Sequence, residues 1–171
     1  VLQDYKEAVK WYRKSAEQGF SKAQHNLGTM YDNGQGVVQD YKEAVKWYRL
    51  SAEQGLASAQ FGLGFMYRHG QGVPEDCEEA VKWYRKSAEQ GNADASNSLA
   101  EMYRYGEGVP IDAKEADKWT RVAEGDAEAQ FELGKMYDHL ELDKLEEKAK
   151  QGDDIAQFGL GFMYRHGQGV P

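Results

Sequence analysis

The chain copies itself. Asp4-Tyr5-Lys6-Glu7-Ala8-Val9-Lys10-Trp11-Tyr12-Arg13 returns letter for letter from Asp40 to Arg49, and more loosely from Asp76 and Asp112, a period of 36 residues. A unit of that length cannot enclose a core of its own, so neighbouring copies must bury one another's apolar faces along a line. The expected architecture over 1–171 is therefore one array, all-α, of about ten helices. Arrays of this kind bind other molecules more often than they perform chemistry.

Each copy holds two helical patterns. In the second copy Tyr41, Ala44, Val45, Tyr48 and Ala52 share one helical face. This helix, B, is expected to start near residues 4, 40, 76 and 112, with a shortened form near 142. Its start is marked by Asp4 with Glu7, Asp40 with Glu43, Asp76 with Glu79 and Asp112 with Glu115. The aspartate accepts from free N–H groups of the first turn, the glutamate reaches back to the cap, and both suit the positive end of the helix dipole. Recurrence at the cap position makes these carboxylates structural rather than catalytic or metal-binding. Gly19, Gly55, Gly91, Gly125 and Gly152 close the B helices.

The second helix, A, is expected near residues 22, 58, 94, 127 and 155, with Ala59, Leu63, Met66 and Tyr67 on one face. Gly28, Gly64, Gly134 and Gly161 sit inside it, with Ala100 in the same column. Glycine there costs about 1 kcal/mol relative to alanine, so close approach of another helix is expected to compensate. The loop Gly34-Gln35-Gly36-Val37 and its copies lead into the next B helix. No strand precedes this loop and no Gly-Lys-Ser/Thr ending follows it, so it is no phosphate cradle.

Charge excludes one class of partner. With 21 Lys+Arg against 29 Asp+Glu, the net charge of -8 argues against nucleic acid, whose binding rests on neutralising phosphates. No apolar run approaches the roughly 18 residues of a membrane span, so no membrane insertion is expected and the chain reads as soluble. The compartment stays open between cytoplasm, periplasm and exterior. Both ends fall inside a connecting loop, so the chain reads as a section of a longer array. The lone Cys77 excludes an internal disulfide framework and occupies the column of Tyr5 and Tyr41, as a small apolar substitute.

Ala-x-x-x-Leu-Gly-x-Met-Tyr-x-x-Gly-x-Gly-Val-x-x-Asp-x-x-x-Ala-x-x-Trp-Tyr-x-x-Ala-Glu-x-Gly is carried almost whole from Ala23 to Gly55 and again from Ala59 to Gly91. It resembles the Sel-1-like repeat, a relative of the tetratricopeptide repeats. The resemblance implies antiparallel helix pairs stacked into a right-handed superhelical α-solenoid, its concave side lined by the A helices. It further implies a non-catalytic adaptor that binds a protein or peptide, without cofactor or metal, as in bacterial signalling, envelope and host-interaction roles. One cysteine-rich bacterial branch is associated with β-lactam binding or hydrolysis; its two cysteines per repeat are missing here. A purely architectural spacer is the third reading.

Comparing copies separates framework from free positions. Leu27, Met30 and Tyr31 recur as Leu63, Met66 and Tyr67, as Leu99, Met102 and Tyr103, and in two later copies, and read as core. Three other columns vary: His25, Phe61, Asn97, Phe131 and Phe158; Thr29, Phe65, Glu101, Lys135 and Phe162; Asn33, His69, Tyr105, His139 and His166. Four residues apart, they form one stripe along each A helix. If the A helices line the inner curve, Thr29, Asn33, Phe61, Phe65, His69, Asn97, Glu101, Tyr105, Phe131, Lys135, His139, Phe162 and His166 form the wall of a binding groove. The competing reading packs the phenylalanines of the first column between repeats. Histidines one repeat apart, on the order of 10 Å, cannot converge on one ion.

The fourth copy is broken. Between Tyr137 and Gly152 it lacks the glycine loop and the tryptophan, and a binding notch or mere decay are both consistent with that. Ala156 to Pro171 then reproduces Ala59 to Pro74 letter for letter. That leaves the last A helix without a following B helix, and end-to-end self-association through this uncapped repeat is expected.

Overall fold

The structure is a computed structural model that describes residues 5–126 together with Ala129, Glu147, Lys150 and Gln151. Among the described residues there are seven α-helices and no strand: α1 (Tyr5–Glu17), α2 (Ser21–Asn33), α3 (Tyr41–Glu53), α4 (Ala57–His69), α5 (Cys77–Ala88), α6 (Ala93–Tyr105) and α7 (Ala113–Ala123). Odd-numbered helices are B and even-numbered are A. The helices expected near 127, 142 and 155, and with them the uncapped end, lie outside the described residues.

Each helix packs on the helix before and the helix after it in the chain, and each A helix packs more extensively on the B helix that follows. The physical unit is thus A then B, and the chain is an all-α solenoid of helix pairs. Three apolar clusters run along it. Tyr31 and Tyr67 each pack against two of them, joining the clusters into one lengthwise core. Leu27, Leu63 and Leu99 are fully buried, each stabilising by about 1.5–3 kcal/mol relative to exposure.

The B-helix tryptophan is the inter-repeat contact. Trp47 of α3 packs into the cluster of α1 and α2 with Val9, Leu27 and Met30, and Trp83 of α5 into that of α3 and α4. Trp47, Trp83 and Trp119 are buried, whereas Trp11 of α1 is 61% exposed.

Polar side chains stitch the same layers. Gln24 in α2 is buried; its Nε2 donates to the Ala16 carbonyl at 3.1 Å and its Oε1 accepts from Gln54 Nε2 at 2.6 Å. Gln60, Ala52 and Gln90 repeat the arrangement. Such burial is tolerated because both ends of the amide are satisfied.

At the B-helix starts the aspartates act as expected. Asp40 accepts from the backbone N–H groups of Lys42 and Glu43, Asp76 from Glu79, and Asp112 from Lys114 and Glu115. The glutamates differ from expectation: Glu43, Glu79 and Glu115 bind Lys46, Lys82 and Lys118 one turn on. A lysine at that spacing offers a charge, which the cap N–H does not.

Two kinds of glycine fix how closely the layers sit. Gly28 and Gly64 do lie against a neighbouring helix, through a tyrosine ring: a Cβ there would come within 2.8 Å of Tyr48 Cδ1 or Tyr84 Cδ1 on the following B helix. Gly36, Gly72 and Gly108, the second glycines of the loops, have positive φ and rest on the backbone opening the preceding B helix, at Tyr5, Tyr41 and Cys77. A side chain at those loop positions would overlap a backbone carbonyl.

Candidate functional site: the A-helix wall and its junctions

Four-residue spacing places the variable columns on one face of α2, α4 and α6, and the structure grades them by depth. The first column is the inner one. His25 and Phe61 are half-buried and tilt against the rings of Tyr48 and Tyr84, both at centroid distances of 5.6 Å, whereas Asn97 is exposed. Phe61 therefore spends its ring on the neighbouring B helix. Burial also depresses the affinity of the His25 imidazole for a proton, and its Nδ1 has no hydrogen-bond partner.

In the second column Thr29 is occupied: its hydroxyl donates to the His25 carbonyl at 3.1 Å and accepts from Tyr48 Oη at 3.2 Å. Phe65 is 38% exposed, and Glu101 is exposed. The third column is outermost. Asn33, His69 and Tyr105 are all exposed, Tyr105 by 64%, and the Phe65 and His69 rings meet at a tilt with centroids 4.3 Å apart. Phe131, Lys135, His139, Phe162 and His166 lie outside the described residues.

Arg68 was not singled out by the column comparison, yet it organises this wall. Its Nε donates to Glu107 at 2.8 Å and its Nη1 to Glu101 at 3.0 Å, tying α4 to α6 and to the loop beyond α6. Burial works against the charge on Arg68, but the bonds to Glu107 and Glu101 outweigh it and hold the guanidinium's pKa above its ordinary value. Beneath it Tyr84 is buried, which pushes its hydroxyl up to about 12. A second arginine set was missed as well. Arg13, Arg49 and Arg85 on the B helices donate to the hydroxyls of Tyr31, Tyr67 and Tyr103 on the next A helix while lying over those rings. The copies opening at Asp4, Asp40 and Asp76 carry this Arg–Tyr pair at a spacing of 18 residues, which was the signal available in the sequence.

The third junction differs. A cleft of about 270 Å³ opens between α6 and α7, lined by Arg104, Ile111, Ala113, Ala116, Asp117 and Thr120. Thr120 stands in the column of Tyr48 and Tyr84, Asp117 in that of Val45 and Val81, and Ala113 in that of Tyr41 and Cys77. The opposing column changes in step, from Gly28 and Gly64 to Ala100.

Among the described residues no group of His, Cys, Asp and Glu could hold a metal ion. Burial and then the charge of Glu75 push the Cys77 thiol up, which makes it a poorer nucleophile than a free cysteine. No described helix is long and apolar enough to cross a membrane.

Stacked A and B helices, a tryptophan packed back on the preceding pair and a glycine loop resting on the previous B helix define a helical-repeat α-solenoid. The chain belongs to the Sel1 repeat family, whose profile matches residues 1–20, 21–56, 57–92, 93–123, 127–151 and 154–171. Proteins built from this repeat are generally protein-interaction scaffolds. Among solved structures it is similar to a protective antigen present in uropathogenic Escherichia coli strains displaying an SLR fold, with 42% identity and a TM-score of 0.71 over 99% of this chain and 38% of that one. A Sel1 repeat protein from Oxalobacter formigenes is similar at 35% identity and a TM-score of 0.67, over 98% of this chain and 71% of that one. The chain thus spans well under half the length of the first of these. A comparison with curated proteins returned no match.

Proposed function

We propose that this chain, as one array over 1–171, is a non-catalytic adaptor that holds a protein or peptide segment against the wall formed by its A helices. The observation carrying this reading is where the copies differ. Buried columns repeat Leu, Met, Ala and Trp, while the outward columns of the A helices change from Thr29 to Phe65 to Glu101 and from Asn33 to His69 to Tyr105. Folding places no demand on an aromatic pair such as Phe65 and His69 standing at the surface, whereas a partner uses such rings as anchors and the adjoining charges for orientation. Phe131, Lys135, His139, Phe162 and His166 would extend the wall through the later copies.

Peptides selected from a displayed library on the intact chain test the assignment. Phe65→Ala with Tyr105→Ala should weaken them about tenfold or more, or about 1.4 kcal/mol, while Lys10→Ala on the B-helix side leaves binding unchanged. Equal affinity for the two variants would remove the A-helix wall from consideration.

A further inference from the structure

Three things change together in the sequence at the α6–α7 junction, where the cleft lies. Tyr48 and Tyr84 fill the space beside an A-helix glycine, whereas the same two columns read Thr120 and Ala100 at this junction. Val45 and Val81, both buried, give way to the exposed Asp117. Glycine loops cover the starts of α1, α3 and α5, and the sequence of the next copy has no such loop, since no glycine occurs between Gly134 and Gly152.

Arg104 shows what the cleft lacks. It repeats the position of Arg68, whose guanidinium holds two carboxylates, Glu101 and Glu107. In the next copy the column of Glu101 reads Lys135, and the loop that supplied Glu107 is missing from the sequence. The hydrogen bond of Arg104 is a long one, from Nη2 to Thr120 Oγ1 at 3.5 Å, and no carboxylate pairs with it among the described residues. Asp117, on the same lining, has no cationic partner there either. A guanidinium offers five donors in a planar fork, and one such fork here faces a space large enough for a side chain.

We propose that the α6–α7 cleft is a receptor for an acidic side chain of a partner segment. The carboxylate sits on the Arg104 guanidinium beside the Thr120 hydroxyl, against the apolar wall of Ile111, Ala113 and Ala116. Asp117 at the rim disfavours a bare anion and favours a carboxylate carried next to a cation, as in a Glu-Lys sequence. The proposal rests on the reading of the array as a binder of protein segments, and gives that reading a charge preference at one point.

The test is a titration of the isotope-labelled chain, followed by NMR, with acetyl-Gly-Glu-Lys-Gly-amide and with its Gln-Lys isostere. Saturable shifts of the Arg104 side-chain N–H and of the Ala113 and Thr120 amides are expected, with the isostere at least about tenfold weaker. Arg104→Gln should abolish the shifts while leaving the melting temperature in place. Ala100→Gly with Thr120→Tyr, which rebuilds the glycine–tyrosine pair of the earlier copies, should abolish them by filling the cleft. Equal response to the two peptides, no response, persistence in the rebuilt variant, or a carboxylate of the chain itself found on Arg104 would each overturn the proposal. Phe65→Ala leaves the cleft signals unchanged, so loss of groove binding and loss of cleft binding are told apart.

Discussion

The second and third junctions begin from the same blueprint and end differently. At α4–α5, Gly64 admits the Tyr84 ring, the Gly72 loop covers the start of α3, and Arg68 is closed by Glu101 and Glu107. At α6–α7 the same columns read Ala100 and Thr120, and Arg104 keeps only a long bond to that threonine. The ring and its matching glycine are both replaced at the junction where the cleft opens. A repeat array tolerates such a local loss of framework because the neighbouring copies hold the chain together.

The sealed state should break most severely at its loop. Gly72 has a φ of +74° and its Cβ would overlap the Tyr41 carbonyl, whereas Gly55 has a φ of +90° with open space around it. Gly55→Ala should cost about 1 kcal/mol for the left-handed backbone alone. Gly72→Ala adds overpacking against an unyielding carbonyl and should cost about 3 kcal/mol, read as a fall in the urea midpoint. Equal losses in the two variants would mean that the loop contact contributes nothing.

Next in size is the coupling between ring and glycine. Tyr84→Thr alone removes a buried ring and should cost about 3 kcal/mol. Gly64→Ala alone sets overpacking of about 1–3 kcal/mol against a helix-propensity gain of about 1 kcal/mol. Together they recreate the pair found at Ala100 and Thr120, and the double variant should beat the sum of the singles by about 1 kcal/mol. Strict additivity would show that the two columns change independently.

A smaller effect belongs to the ion cluster. Arg68→Ala opens a mostly covered guanidinium site, but Glu101 is about half exposed, so Glu101→Gln should cost no more than about 1 kcal/mol, shrinking further in high salt. Arg104→Ala, with no ion pair to lose among the described residues, should be within about 0.5 kcal/mol of the wild type. A larger loss at Arg104 than at Arg68 would reverse the contrast between the two junctions.

The framework was legible because repetition exposes it: a column reading Leu27, Leu63 and Leu99, or Asp40, Asp76 and Asp112, has only one physical reading. The wall was legible in part. Spacing put the three columns on one face, but depth decided among them, and depth depends on where Tyr48 and Tyr84 reach from the next helix. Phe61 and Phe65 are alike in sequence and differ in what lies opposite. The Gly–Tyr pairing was written in the chain as two columns that change together, yet each column alone reads as simple tolerance. Arg68 escaped because its partners come from another helix and a loop 33 and 39 residues away.

The first junction supplies the finest test, because its inner column holds a titrating ring. His25 faces Tyr48 as Phe61 faces Tyr84, but burial holds its proton affinity below the ordinary value and its Nδ1 has no partner. The unfolded chain therefore takes up the proton first, so stability is retained above the ordinary histidine range and falls as pH drops below about 6.5. Asp32, bonded to the same Tyr48 hydroxyl, has its carboxyl raised by burial and drifts the other way at lower pH, with stability declining as pH rises through the carboxylate range. Comparing wild type with His25→Phe cancels that contribution. The difference in urea midpoint between the two should stay level from about pH 8 to about pH 7 and widen from about pH 6.5 down to about pH 5, with the phenylalanine chain favoured at the acid end. A constant difference would mean that the imidazole takes its proton in place without loss, and that the first junction is more open to water than the second.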